Sequence, residues 1–385
     1  MARILHISDL HIGARLGRYS QNEDIKKCLE FISDYTLNEK IDALLIAGDI
    51  FDGFNPSGES EDIYYSFLSK ISAAGAKTFI IAGNHDNHER LCAPERLFSA
   101  HHIFVAGYDA RSEYEPLETV IGEEPASIIA IPYIPDAALI SSSPGAEADE
   151  AALNYSAAYA KLIHRAALKC RSELKISLGH LFVKNSLPAG SERAIQQGNA
   201  YLVEFAEFPK NIAYYAFGHL HRPQRVADNA YYSGSIIPVS IDEAASDKKM
   251  MLIETSKNLI SGISEIKLPR SSNYHNYKGA FEHVMRSIEG TSDAYVSIIF
   301  SEVINLEKQD ILQKTVREKN IKIVSINFEI SRTAESFNLN STDFKNLSLE
   351  ELFKLFIKDS ECDKDKVLKQ FNRVVQSVMA GENII

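Results

Sequence analysis

Seven side chains in this sequence have types and spacings suited to holding divalent cations. They are Asp9 and His11 in "SDLH", Asp49 in "GDIFD", Asn84 in "GNHD", His180 in "SLGH", and His219 and His221 in "GHLH". Carboxylates, imidazoles and one amide, with no thiolate, suit Mn or Fe and also accept Zn. In "DLH" and "HLH" the two groups stand at i and i+2, which on an extended backbone project to one side and grip an ion from one direction. A carboxylate has two oxygens, so Asp49 can bridge two cations, and two ions about 3.5 to 4 Å apart are the usual clamp for phosphoryl displacement. Each residue read singly has a plainer role. Asp9 and His11 suit a turn, Asp49 a helix N-cap, and His180 an ordinary satisfied polar group. Recurrence of the pattern along one chain favours the site.

Those side chains need a scaffold. Each follows a short apolar run and, in most cases, a glycine: "ILHISDLH", "ALLIAGDIFD", "FIIAGNHD", "KISLGH" and "YYAFGHLH". Such runs read as buried strands, and "NEDIKKCLEFISDYTLNE" and "SEDIYYSFLSKISAAG" between them read as amphipathic helices, which predicts an α/β fold with its site at strand ends. His6 lies inside the first run, an odd number of residues from Asp9, and is expected in the core or behind the ligands. Asp86 is expected to tie its loop to backbone amides. The stretch "LPRSSNYHNYKG" at 268–279 reads as a linker. Beyond it "AYVSIIF", "LEKQDILQKTVREKN" and "IKIVSINFEI" read as strand, helix and strand, and "LSLEELFKLFIKD" and "DKVLKQFNRVVQSVM" as two amphipathic helices. The expected domains are 1–267, 268–340 and 341–385.

Composition narrows the function classes. The chain has 385 residues, 45% of them hydrophobic and 24% charged, and a net charge of -11. That is an ordinary globular composition. The acidic balance repels phosphate polymers unless basic groups cluster locally or a partner supplies them. Cys28, Cys92, Cys170 and Cys362 show no CxxC spacing, which argues against a disulfide framework or a thiolate zinc site and fits a reducing cytoplasm. No signal-like leader and no membrane-length apolar span is read.

The five motifs resemble, in order, those of the calcineurin-like metallophosphoesterases. More closely, "GHLFV" at 179, "SER" at 191, "GHLHRPQRV" at 218 and "YSGS" at 232 resemble the bacterial SbcD exonucleases. Ile236 stands where that family usually has proline. The resemblance covers nearly the whole chain and implies a β-sandwich flanked by helices, a small α/β capping domain and C-terminal helices. It implies that Asp9, His11 and His221 hold one metal and Asn84, His180 and His219 another, with Asp49 bridging and Mn2+ the expected ion. His85 would face the phosphate and help protonate the leaving 3′ oxygen, with Asp52 orienting its ring. It further implies an ABC ATPase partner, SbcC, whose coiled-coil root binds the C-terminal helices, and pairing of two nuclease subunits, to which "ERLCAPERLF" at 89–98 contributes.

The substrate is read less directly. Arg15, Arg18, Arg222 and Arg225 flank the first and last motifs, and their forked guanidiniums either ring the metals for a DNA backbone or pair with the chain's many acids. Leu349, Leu352, Phe353 and Phe356 form one helical stripe, for packing within the chain or for docking on the partner. The leading expectation, as the SbcD resemblance implies, is a Mn-dependent DNA nuclease subunit that trims duplex 3′ ends and cuts single strands or hairpins. A small-molecule phosphodiesterase or phosphatase is the alternative, and a non-catalytic scaffold is disfavoured by so many costly polar groups at one strand edge.

Overall fold

The computed structural model describes the chain except for 110–112, 140–147, 191, 193–201, 271, 330–348, 358–362 and 380–385. Two six-stranded sheets form its centre. The first runs Leu259–Lys267, Lys249–Ser256, Ala2–Ile7, Ala43–Ala47, Lys77–Ile81 and Ile103–Ala106 from edge to edge. The second runs Gln224–Ala227, Ala230–Tyr232, Tyr214–Gly218, Leu174–His180, Glu124–Ile131 and Leu117–Ile121. Within each sheet the strands that end in the motifs run parallel to one another, so their C-terminal ends lie together.

Strand alternation sorts the apolar residues into layers. Along Ala2–Ile7, Ile4 faces the second sheet, in a core with Leu45, Phe79, Ile128, Leu178 and Ala216. Leu5 and Ile7 face outward, onto Ile25, Leu29 and Ile32 of helix Asn22–Asn38 and Phe67 and Ile71 of helix Gly58–Ala73. The apolar residues of both helices recur at three- and four-residue spacing, which gives each one buried stripe. On the far side, Ile129, Tyr215 and Phe217 pack on Tyr159 and Ile163 of helix Ala148–Lys169. The result is a β-sandwich flanked by helices, and each fully buried Leu or Ile contributes about 1.5 to 3 kcal/mol.

Strands Asn273–Gly279, Ala294–Phe300 and Lys322–Phe328 form a separate parallel sheet, with helices Phe281–Glu289 and Leu306–Glu318 in the crossovers. The linker reading of 268–279 is corrected here, since most of that stretch is an edge strand. Its polar residues tolerate an edge because only one flank is covered, and Tyr274 stacks on Tyr295 with ring centres 5.3 Å apart. Tyr295 also packs with Leu16 and Ile241, which seats this sheet on the hairpin that follows the first motif.

The chain divides into two compact units, Met1–Glu329 and Ile330–Ile385. In the second, helices Leu349–Phe356 and Lys364–Met379 are joined by stacking of Phe353 on Phe371, ring centres 3.8 Å apart. The side chains of Leu349, Leu352 and Phe356 lie outside the described residues. No helix among the described residues is long and apolar enough to cross a membrane.

His6 is fully buried between the sheets, its Nδ1 3.0 Å from the Tyr214 hydroxyl. Burial pushes its pKa down to about 3. The unfolded chain therefore takes up a proton below its ordinary value that the folded chain refuses, so stability falls as pH drops below about 6.5. Between pH 7.5 and pH 5 this group alone should cost about 2 kcal/mol. Urea midpoints at the two pH values should show a correspondingly shallower acid loss for His6→Leu than for wild type.

Candidate metal centre

Beyond the strand ends the motif loops are tied to one another by their backbones. Asp9 N donates to the Gly48 carbonyl at 3.0 Å, His11 N to Asp49 at 3.1 Å and Ile12 N to Ile50 at 2.9 Å. Asp9 (φ 52°), His11 (φ 44°), Asp49 (φ 50°) and His219 (φ 100°) all lie at positive φ. The extended i, i+2 geometry expected for "DLH" is thus corrected. The strand stops at Ile7, and the left-handed turns, not pleating, bring Asp9 and His11 to one side. Two glycines permit the close approach. A Cβ on Gly48 would fall 2.3 Å from His180 Nδ1, and one on Gly83 would fall 2.1 Å from Asp49 Oδ1.

All seven candidate ligands converge. The donor atoms of Asp9, His11 and His221 lie within 4.8 Å of one another, as do those of Asp9, Asp49 and His180. His11 Nε2 and His221 Nε2 face each other at 3.0 Å. His180 Nε2 and His219 Nδ1 each lie 3.0 Å from Asn84 Oδ1. Asp49 Oδ2 stands between the groups, 3.8 Å from His11 Nε2 and 3.5 Å from His180 Nε2. Ring nitrogens turned toward each other around buried carboxylates are the donor set that divalent cations fit. Asp49 caps no helix, because Ser57 caps the next one.

The electrostatics point the same way. Burial opposes charge on Asp49, but His180, with His85 and His11, outweighs it and holds the carboxyl well below its usual range. Burial likewise opposes charge on His180, yet Asp49 and Asp9 raise it to about 9. Burial and the neighbouring His180 push His219 down to about 3. The field that draws protons onto His180 also draws cations.

Around the cluster, supporting bonds fix each loop. Asp86 accepts from Gly83 N at 2.8 Å, Phe51 N at 3.0 Å and Ile50 N at 3.1 Å. His219 N donates to Asp9 Oδ1 at 3.0 Å. His180 Nδ1 reaches the Ala47 carbonyl at 2.8 Å, across the two sheets. The "YSGS" stretch serves the same purpose. The Tyr232 hydroxyl joins Val183 N and the Leu181 carbonyl, and Ser233 pairs with Ser8, which donates to Asp9. Ser233, Glu192 and Glu243 are not legible as site residues, because Ser233 meets Ser8 across 225 residues and the two glutamates meet His221 across 29 and 22, with no spacing signal.

His85 and Asp52 meet through the Asp52 main chain. His85 is partly exposed, with Nε2 3.9 Å from Asp49 Oδ2. Its Nδ1 is held by the Asp52 main-chain carbonyl at 2.8 Å, while the Asp52 carboxylate lies 3.2 Å from His11 Nδ1. The turn after Phe51 aims the carbonyl at one histidine and the side chain at the other. Of the arginines, Arg15 donates to the Arg18 carbonyl, and Arg18 lies over the Tyr19 ring. Arg225 pairs with Asp228, and Arg222 is exposed.

The family described as calcineurin-like phosphoesterase matches residues 2–223, more than half of the chain. Similar proteins include the SbcD subunit of the SbcCD nuclease of Rhodobacter capsulatus, 34% identical over 70% of this chain and 69% of that protein. The corresponding protein from Bacillus subtilis is 32% identical over 72% of each chain, and that from Escherichia coli 25% identical over 76% and 74%. This chain belongs to the calcineurin-like phosphoesterases and, within them, to the SbcD nuclease subunits.

The contacts of Asp52 separate two roles. Asp52→Asn should weaken binding of one divalent ion by roughly 10-fold through His11. His85→Leu should leave both ions bound. Isothermal titration with Mn2+ checks both, and unchanged affinity in Asp52→Asn would contradict the support assigned to that carboxylate.

Proposed function

We propose that this chain is the nuclease component of an SbcCD-type complex. It hydrolyses DNA phosphodiester bonds, acting as a 3′–5′ exonuclease on duplex ends and an endonuclease on single strands or hairpins. The observation that carries the reading is a partly exposed histidine, His85, at the lip of a cluster of seven ligands, six of them buried and Asn84 half-buried. Asp9, His11 and His221 would hold one ion and Asn84, His180 and His219 the other, with Asp49 shared. Two divalent cations, Mn2+ in this proposal, would polarise the phosphate and lower the pKa of the attacking water.

The chain's own groups supply the rest. The Asp52 carbonyl accepts the His85 Nδ1 proton and so turns Nε2 toward the cluster. From there a protonated Nε2 donates to a phosphate oxygen as charge develops and then to the leaving 3′ oxygen. The His85 backbone N, bound to Asp49 Oδ1 at 2.8 Å, keeps the ring in register with the ligands. Residues 268–340 would act as a capping domain that recognises DNA, with Arg15, Arg18, Arg222 and Arg225 as candidate backbone contacts. Residues 341–385 would dock on an SbcC-type ABC ATPase, which compensates for the chain's acidic balance. Two nuclease subunits would pair through 89–98, where Leu97 is 72% exposed. A cytoplasmic, DNA-repair setting suits a chain whose Cys28, Cys92 and Cys170 are free thiols.

The test is Mn-dependent nucleotide release from a 3′-labelled blunt duplex, with and without the ATPase and ATP. His85→Leu should lose at least about 100-fold in rate, the usual range for a proton donor. Hydrolysis of a small phosphodiester without any release from DNA would instead favour a small-molecule phosphodiesterase on the same fold.

A further inference from the structure

We propose that Glu243, held by Lys248, is a positioning residue for His221 and sets the ion affinity of the Asp9, His11 and His221 group. This rests on the metal-centre reading above. His221 is gripped at three points. Its ring Nδ1 lies 3.1 Å from Glu243 Oε1, its backbone N donates to Glu192 Oε1 at 3.0 Å, and its carbonyl accepts from Lys248 Nζ at 3.0 Å. With Nδ1–H donating a hydrogen bond to the Glu243 carboxylate, the lone pair is left on Nε2, the nitrogen that faces His11.

The pair behind His221 is fully committed. Lys248 has three N–H donors, and they meet Glu243 Oε2 at 2.6 Å, Ser235 Oγ at 2.7 Å and the His221 carbonyl. Glu243 Oε2 also accepts from Val239 N at 3.2 Å and from Ser235 Oγ at 3.4 Å. The Glu243 side chain is 0% exposed and that of Lys248 6%. Buried ion pairs rarely add net stability, because desolvation offsets their attraction. Well-packed apolar residues would hold the segment together as well. What they could not do is present an anion to an imidazole, and that bond strengthens the ring as a donor. The turn Asp242–Ala245 that carries Glu243 is itself seated, by Ile241 packing with Leu16 and Tyr295 and by Asn276 donating to Asp242 at 3.1 Å.

The experiment counts Mn2+ bound to the full chain by electron paramagnetic resonance, in wild type, Glu243→Gln/Lys248→Met and Ser246→Ala. The double variant removes both charges together, so neither is left buried alone. One of the two ions should bind the double variant 10- to 100-fold more weakly, with the other within about 2-fold of wild type. Ser246→Ala removes only a bond from Ser246 Oγ to the Glu243 main-chain carbonyl, so it loosens the same turn, keeps the contacts of Glu243 and Lys248 with His221, and should retain both affinities. Wild-type affinity at both sites in a folded double variant would overturn the proposal, as would equal weakening in Ser246→Ala. Failure of wild type itself to bind two ions would instead overturn the metal-centre reading.

Discussion

Asp9 and Asp49 are carboxylates with almost no solvent exposure, set at the ends of adjacent parallel strands, and the rest of the structure answers to them. Two anions buried this close cannot stand without compensating positive charge. Four histidines, His11, His180, His219 and His221, surround them and are equally buried. Protons satisfy such a cluster in part, as the raised pKa of His180 indicates. Divalent cations satisfy it more fully, because they meet carboxylate, imidazole and the Asn84 amide at once.

Holding these groups has a conformational cost. Left-handed backbone at Asp9, His11, Asp49 and His219 stores about 1 to 3 kcal/mol at each residue. The sandwich core offsets this, since the strands that lead into those turns are buried on both faces. Hydrogen bonds between loops then transmit rigidity from one motif to the next. Glu243 and Lys248 extend the same logic to His221, which lies farthest along the chain of the seven.

Much of this was legible in the sequence because strand, glycine and ligand recur as a local pattern. The glycines mark close approach, with Gly83 against Asp49 and Gly48 against His180, and local signals of that kind survive without a structure. The same holds for the flanking helices, whose apolar spacing announces one buried face. Other features needed three dimensions. The stretch 268–279 reads as a linker because an edge strand carries few apolar residues. The two ligands of "DLH" read as pleated because spacing does not reveal a positive φ. Asp52 presents its carbonyl and its carboxylate to different histidines, and no residue type encodes that division. Glu243 lies 22 residues from His221 on a short turn, so only the fold brings its carboxylate to that ring.

The most direct test of the central claim is anomalous diffraction at the manganese edge from crystals grown with Mn2+. Two anomalous peaks are expected, one among Asp9, His11 and His221 and one among Asn84, His180 and His219, with Asp49 touching both. A single peak, or density bound elsewhere with these side chains left as they are, would contradict it.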